Sequence, residues 1–87
     1  MNENLPEKIN YQSYQIKPTP MKVIVEGMEQ WNTRFEIWQD KRSEITIFPF
    51  YGKHICESKE DAIKRCFHEG KHIIDNKPEK LVKNNDS

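Results

Sequence analysis

The stretch WNTRFEIW at residues 31–38 separates into two sets of side chains when alternate positions are grouped. The two alternating sets are Trp31, Thr33, Phe35 and Ile37 on one side and Asn32, Arg34, Glu36 and Trp38 on the other. Successive side chains of a strand point to opposite faces, so this stretch predicts a β-strand with one buried and one polar face. Because a single strand is not stable alone, the chain must build a sheet around it.

Two neighbouring stretches have the composition of further strands. MKVIVEG is β-branched at 23–25 and stops at Gly27, and ITIFPF at 45–50 follows the polar turn QDKRSE. Pro49 has no N–H for a ladder, which indicates a strand end, an edge or a bulge. Gly52 in YGK indicates a tight connection before a short last strand, HIC at 54–56. The pattern predicts three or four antiparallel strands in a meander.

A helix is predicted after these strands. Ser58 has an acid three residues later, Asp61, which is typical of a helix N-cap, and Pro78 ends the helix that runs from Lys59 to Asn76. Its apolar stripe comprises Ala62, Ile63, Cys66, Phe67, Gly70, Ile73 and Ile74. Gly70 in this stripe predicts a close approach of helix and sheet, or else the end of a shorter helix followed by a strand KHIID. The fold class is α+β, an antiparallel sheet with one C-terminal amphipathic helix packed on one face.

The apolar residues are concentrated between residues 21 and 74. We therefore predict an extended or flexible N-terminal arm at 1–20, a small α+β domain at 21–77 and a flexible tail at 78–87. The arm holds three prolines, which oppose regular structure. Tyr11, Tyr14 and Ile16 recur within it regularly, so a strand or arm lying on the domain would bury them.

The charge balance narrows the classes of function. Fourteen Lys and Arg residues balance fourteen Asp and Glu residues among 87, so the net field that attracts nucleic acid or anionic membranes is absent. The N-terminal sequence MNENLPEKIN lacks the apolar segment of a signal peptide, and no apolar run reaches the length of a membrane helix. Two cysteines do not make a multi-bridge framework. These features predict a soluble, cytoplasmic protein.

The stretch CFHEGKH at 66–72 raises the question of a metal site. His68 and His72 are four residues apart and share one helix face, but Cys66 points into the apolar stripe on the other side. The C-x-x-C spacing of zinc ribbons is absent as well. A thiol enzyme would need a base and an oxyanion site, and neither is indicated. We predict no metal, no cofactor, no catalytic residue and no enzymatic activity.

The side of the sheet that the helix leaves uncovered is the candidate working face. The alternation assigns to it Arg34, Glu36, Trp38, Thr46, Phe48 and Phe50. Either the N-terminal arm or a register shift of one residue would bury these aromatics. If the face is open, Trp38, Phe48, Phe50 and Arg34 are the predicted partner-binding residues of a protein-interaction domain, acting as a homodimer or by docking on a larger protein. The alternative is nucleic-acid binding by the same face, against which Glu36 and Glu44 argue.

The stretch RFEIWQDKRSEITIFPFYGKHICESKEDAIKRCF resembles small bacterial domains with a three-stranded meander and a helix. Over residues 31–67 the chain is similar in outline to the uncharacterised YegP-like domains, and more distantly to the sheet-plus-helix domain with which some integrases bind DNA arms. YegP-like proteins have two copies where this chain has one, which implies a homodimer in place of the duplication. The strongly basic sheet of the integrase domains is missing, which weakens the expectation of DNA binding. The resemblance carries over no functional residue.

Overall fold

The computed structural model describes residues 5–82, and within them five strands are followed by an α-helix and a short 3₁₀ helix. The strands are β1 (Ile9–Tyr11), β2 (Tyr14–Pro18), β3 (Lys22–Val25), β4 (Met28–Lys41) and β5 (Glu44–Cys56). The α-helix is α1 (Lys59–Asn76), and the 3₁₀ helix is Pro78–Leu81. The predicted α+β fold, an antiparallel sheet with a C-terminal helix packed against it, is confirmed. The number of strands exceeds the predicted three or four, because the N-terminal arm contributes β1 and β2.

The long strand β4 organises the sheet. On one edge its residues 28–31 pair with β3 and its residues 35–39 pair with β2, while β5 pairs along the other edge. β1 adds to the far side of β2, and all pairings are antiparallel. The helix packs on β4 and β2 and touches β5 less. β5 is therefore an edge strand that the helix covers only in part.

Two-residue turns set the register of the sheet. They lie at 12–13, 26–27 and 42–43, and each contains backbone in the left-handed region. Gly27 adopts φ +79° without strain, whereas Arg42 and Ser43 do so as non-glycine residues at 54° and 65°. The turn at 42–43 brings Lys41 opposite Glu44, and this pairing fixes the partners of β4 back to Arg34, where the register shifts.

The predicted helix start is confirmed by the geometry of its first turn. Oγ of Ser58 accepts a hydrogen bond from the backbone N–H of Asp61 at 3.1 Å, as an N-cap residue does. The helix continues through Gly70 to Asn76, so the shorter helix with a following strand KHIID is wrong. The predicted close approach at Gly70 is confirmed, since a Cβ there would lie 2.7 Å from Cγ2 of Ile16.

The core lies between the sheet and α1. Its buried members are Ile16, Phe35, Ile37, Cys66, Ile73, Ile74 and Leu81. Two of them fall outside the predicted domain of residues 21–77: Ile16 pairs with Ile37 in the sheet, and Leu81 closes the end of the helix. Short apolar segments on both sides of residues 21–77 therefore supply core residues, while the domain boundaries stay a prediction. Residues 1–4 of the predicted arm and 83–87 of the predicted tail lie outside the described residues.

The predicted connection at Gly52 is also wrong, because β5 is continuous from Glu44 to Cys56. Gly52 lies in an irregular segment where β5 has more residues than β4 between paired positions. There Oγ1 of Thr33 donates a hydrogen bond to the carbonyl of His54 at 2.9 Å. A Cβ at position 52 would overlap this hydroxyl, so glycine is needed for the approach of Thr33 and not for a turn.

Candidate functional site

The side of the sheet opposite α1 is called here the open face. From β4 and β5 it presents Arg34, Glu36, Trp38, Asp40, Ile45, Ile47, Pro49 and Tyr51. The partners of Trp38 are Gln15 on β2 and Ile47 on β5. The placement of Arg34, Glu36 and Trp38 away from the core is as the sequence predicted, because Phe35 and Ile37 are buried beneath the helix.

The prediction that Phe48 and Phe50 share this face with Trp38 is wrong. Phe48 pairs with Ile37 and Phe50 with Phe35, so both lie on the helix side and pack against the core. The rings of Phe35 and Phe50 stack with centroids 5.4 Å apart. Because β5 is apolar on both alternating sets, its pattern alone does not choose a face. The two-residue turn decides which residues of β5 face the helix. The register shift of one residue, which the sequence analysis gave as an alternative, therefore applies to β5 and not to β4.

Trp38 is half-buried at the centre of the open face. Its Nε1 donates a hydrogen bond to Oε1 of Glu36 at 2.9 Å. The ammonium groups of Lys8 and Lys17 lie 4.7 Å and 5.2 Å from the centroid of its ring, within the range of cation–π attraction. The N-terminal arm therefore covers Trp38 only through Lys8, which precedes β1, and through β2 with Lys17. The hydrogen bond and these two contacts together position the indole ring.

Arg34 forms a second fixed point on this face. Its Nη1 donates to Oγ1 of Thr19 at 2.8 Å, and its Nε donates to the hydroxyl of Tyr51 at 3.4 Å. Its guanidinium carbon lies 5.7 Å from the centroid of the Tyr51 ring. The hydrogen bond with Tyr51 is the largest of the causes that raise the pKa of Arg34. The guanidinium group of Arg34 is therefore a cation that is positioned by Tyr51 on β5 and by Thr19, the residue that follows β2.

Three large exposed side chains on β5 form what we call the β5 row: Ile45, Ile47 and Tyr51. Their exposed fractions are 53%, 47% and 72%. Sequence reasoning did not assign them to the site, although ITIFPFY carries apolar residues on both alternating sets. A strand of that composition is typically covered on both faces. α1 covers one face of β5 in part, and the row lies on the other face.

The cysteines and histidines were the candidate metal ligands of the sequence. Within residues 5–82, no group of three or more His, Cys, Asp or Glu side chains is placed to hold a metal ion. Cys66 is fully buried and its thiol donates to the carbonyl of Arg34 at 3.3 Å. Burial, first among the causes, raises the pKa of this thiol to about 12, which keeps it protonated. His68 and His72 are exposed on α1. The absence of a metal, a cofactor and an enzymatic activity stays a prediction.

Comparison of the chain with protein-family models, curated proteins and solved structures finds no match. The resemblance to YegP-like domains therefore stays a prediction, and the geometry of the open face carries the functional argument. No helix within residues 5–82 has the length and apolar character needed to cross a membrane.

Proposed function

We propose that this protein is a non-enzymatic interaction domain whose open face binds a second copy of the same chain. The β5 row is the observation that carries the proposal. Its three large side chains are exposed on a strand whose other face the helix covers in part. Burying isoleucine and tyrosine side chains against a partner removes apolar surface from water, which is the main favourable contribution to association.

The charges of the open face support a second copy as the partner. Lys17 and Arg34 lie among Glu36 and Asp40, so the face carries both signs, in a chain with no net charge. In a two-fold symmetric dimer the same patch meets itself, and a patch with both signs can place opposite charges against each other. Trp38 lies next to the β5 row through its pairing with Ile47, where an aromatic anchor is typical of an interface centre.

A single-stranded nucleic acid is the second candidate for the same face. The observation that favours it is the pair of ammonium groups, from Lys8 and Lys17, on the ring of Trp38. Single-strand binders combine an aromatic stacking surface with cations that meet the phosphates. Glu36 and Asp40 beside the ring oppose this candidate, because they would lie against the same backbone.

The chain has two tryptophans on opposite faces of the sheet, and they allow a controlled test of the proposal. Trp38→Ala removes the anchor of the open face, and Trp31→Ala is the matched control, because Trp31 belongs to the opposite face near Lys22 and Lys59. Light scattering after size exclusion should show the wild-type mass rising with concentration toward twice the 10.5 kDa of one chain. Trp38→Ala should weaken the association by about 2 kcal/mol, roughly 30-fold, and Trp31→Ala should retain it.

A wild-type mass of one chain at every concentration would contradict the dimer. Fluorescence titration with a mixed single-stranded oligonucleotide separates the second candidate. Binding that weakens steeply with salt and is lost in Trp38→Ala would favour nucleic acid over self-association. Circular dichroism of both variants establishes that each keeps the fold before its mass is interpreted.

A further inference from the structure

All three histidines of the chain line one cleft between α1 and β5, on the helix side of the sheet. His54 comes from β5, and His68 and His72 come from α1. The cleft exists because the helix packs mainly on β4 and β2, which leaves the helix side of β5 partly uncovered. The cleft lies on the helix side of the sheet, and Tyr51 of the open face lines its edge.

The cleft combines an apolar floor with a basic rim. Phe50 and Ile73 form part of the floor, with Phe35 stacked on Phe50. The rim adds three lysines, namely Lys53, Lys77 and Lys80. Among the described residues that line the cleft, the acidic one is Glu69. Three lysines and one glutamate give a local charge of +2 with neutral histidines, in a chain whose net charge is zero.

The dimensions and the charge together indicate the kind of ligand. From His68 to Lys77 the helix rises by roughly 13 Å, at about 1.5 Å per residue. An extended peptide of about four residues has the same length, at about 3.3 Å per residue. An acidic peptide would place its carboxylates at the lysines, and one apolar side chain would cover Phe50. We propose that this cleft binds an extended acidic peptide segment of a partner protein.

The peptide is held mainly by side-chain contacts. Pro49 provides no N–H to the free edge of β5, and the segment around Gly52 departs from the regular ladder geometry. His72 supplies a donor, because Nδ2 of Asn76 lies 3.2 Å from its Nδ1. When Nδ1 accepts this hydrogen bond, the ring proton is on Nε2 and is free to bind a carboxylate.

The test measures fluorescence anisotropy of the labelled peptide Asp-Glu-Phe-Asp-Glu-Leu with the full chain. The double variant Lys53→Glu/Lys80→Glu reverses two rim charges, and Lys41→Glu/Lys59→Glu makes the same change outside the cleft. We expect at least tenfold weaker binding for the first variant and little change for the second. A peptide with Ser in place of Phe should bind more weakly, because it leaves the apolar floor exposed.

Three results would overturn the proposal. They are no binding of the acidic peptide by the wild type, equal loss in both double variants, and equally tight binding of a single-stranded oligonucleotide with the same number of charges. Lys53 and Lys80 are not among the residues of the open face. The result of the peptide experiment therefore does not decide whether the chain self-associates.

Discussion

Gly70 of α1 lies directly against Ile16 of β2, and this contact sets the distance between the helix and the sheet. A Cβ built on Gly70 would lie 2.7 Å from Cγ2 and 2.9 Å from Cδ1 of Ile16. Real Cβ atoms do not approach other carbons so closely, and Ile16 is fully buried with no room to withdraw. The contact therefore joins the N-terminal segment to the helix and makes it part of the core.

Gly70→Ala should lower the free energy of unfolding by about 1–3 kcal/mol, because the overlap with Ile16 outweighs the gain of about 1 kcal/mol in helix propensity. Urea denaturation followed by circular dichroism measures the change. The double variant Gly70→Ala/Ile16→Val removes Cδ1 of Ile16, so its loss should be smaller than the sum of the two single losses. A Gly70→Ala protein more stable than the wild type would show that the helix does not approach the sheet this closely.

Ser43→Gly should raise the free energy of unfolding by about 0.5–1 kcal/mol, since Ser43 has φ +65° in a two-residue turn where glycine is preferred. Ser13→Gly is the matched control. Ser13 occupies the second position of the turn at 12–13 without a positive φ, so the same exchange there should give no gain. Thermal unfolding of the two variants provides the comparison. Equal effects at both sites would contradict the turn geometry that fixes the register of β5.

The two cysteines should differ sharply in reactivity. Iodoacetamide at pH 8 should modify the half-buried Cys56 first and modify Cys66 only after unfolding, because Cys66 is buried as a protonated donor to the carbonyl of Arg34. Mass spectrometry after timed quenching measures this, and Cys56→Ser should remove the fast reaction. Modification of both thiols at one rate in the folded protein would contradict the burial of Cys66.

The raised pKa of Cys66 also predicts the direction of a pH effect. Folding raises this pKa from its ordinary value of 9.0 to about 12. The unfolded chain therefore loses the thiol proton first, and the stabilisation present below pH 9 is lost as the pH rises from about 9 to about 12. Cys66→Ala should show a shallower decline over this range than the wild type. Parallel declines would mean that the thiol titrates alike in both states.

The elements with a single consistent signal could be predicted from the sequence. Ser58 and Asp61 gave the start of α1, and the alternation around Phe35 gave the faces of β4. The faces of β5 could not be predicted, because Ile47 and Phe48 are both apolar and the choice depends on the length of the turn at 42–43. The predicted face is therefore confirmed for Arg34 and Trp38 of β4 and wrong for Phe48 and Phe50 of β5, while partner binding stays a prediction.

The N-terminal strands were predicted only as one alternative, and the cleft was not predicted, for a related reason. Prolines and polar residues surround Ile16, so its short segment does not show the composition of a strand. The segment is a strand because it pairs with β4. The histidines at 54 and 72 are far apart in the sequence. They reach one cleft because β5 and α1 run side by side, a relation that no local pattern contains.

Sedimentation equilibrium of Ile47→Asp and Ile24→Asp beside the wild type tests the central claim most directly. Both isoleucines are exposed on strands, but Ile47 belongs to the open face and Ile24 to the opposite face, where it pairs with Glu29. Aspartate at position 47 would place an unpaired charge inside the proposed interface, which opposes association. We predict that the wild type and Ile24→Asp approach twice the 10.5 kDa of one chain with rising concentration, while Ile47→Asp stays at one chain. A monomeric wild type, or equal loss of association in both variants, would contradict the account.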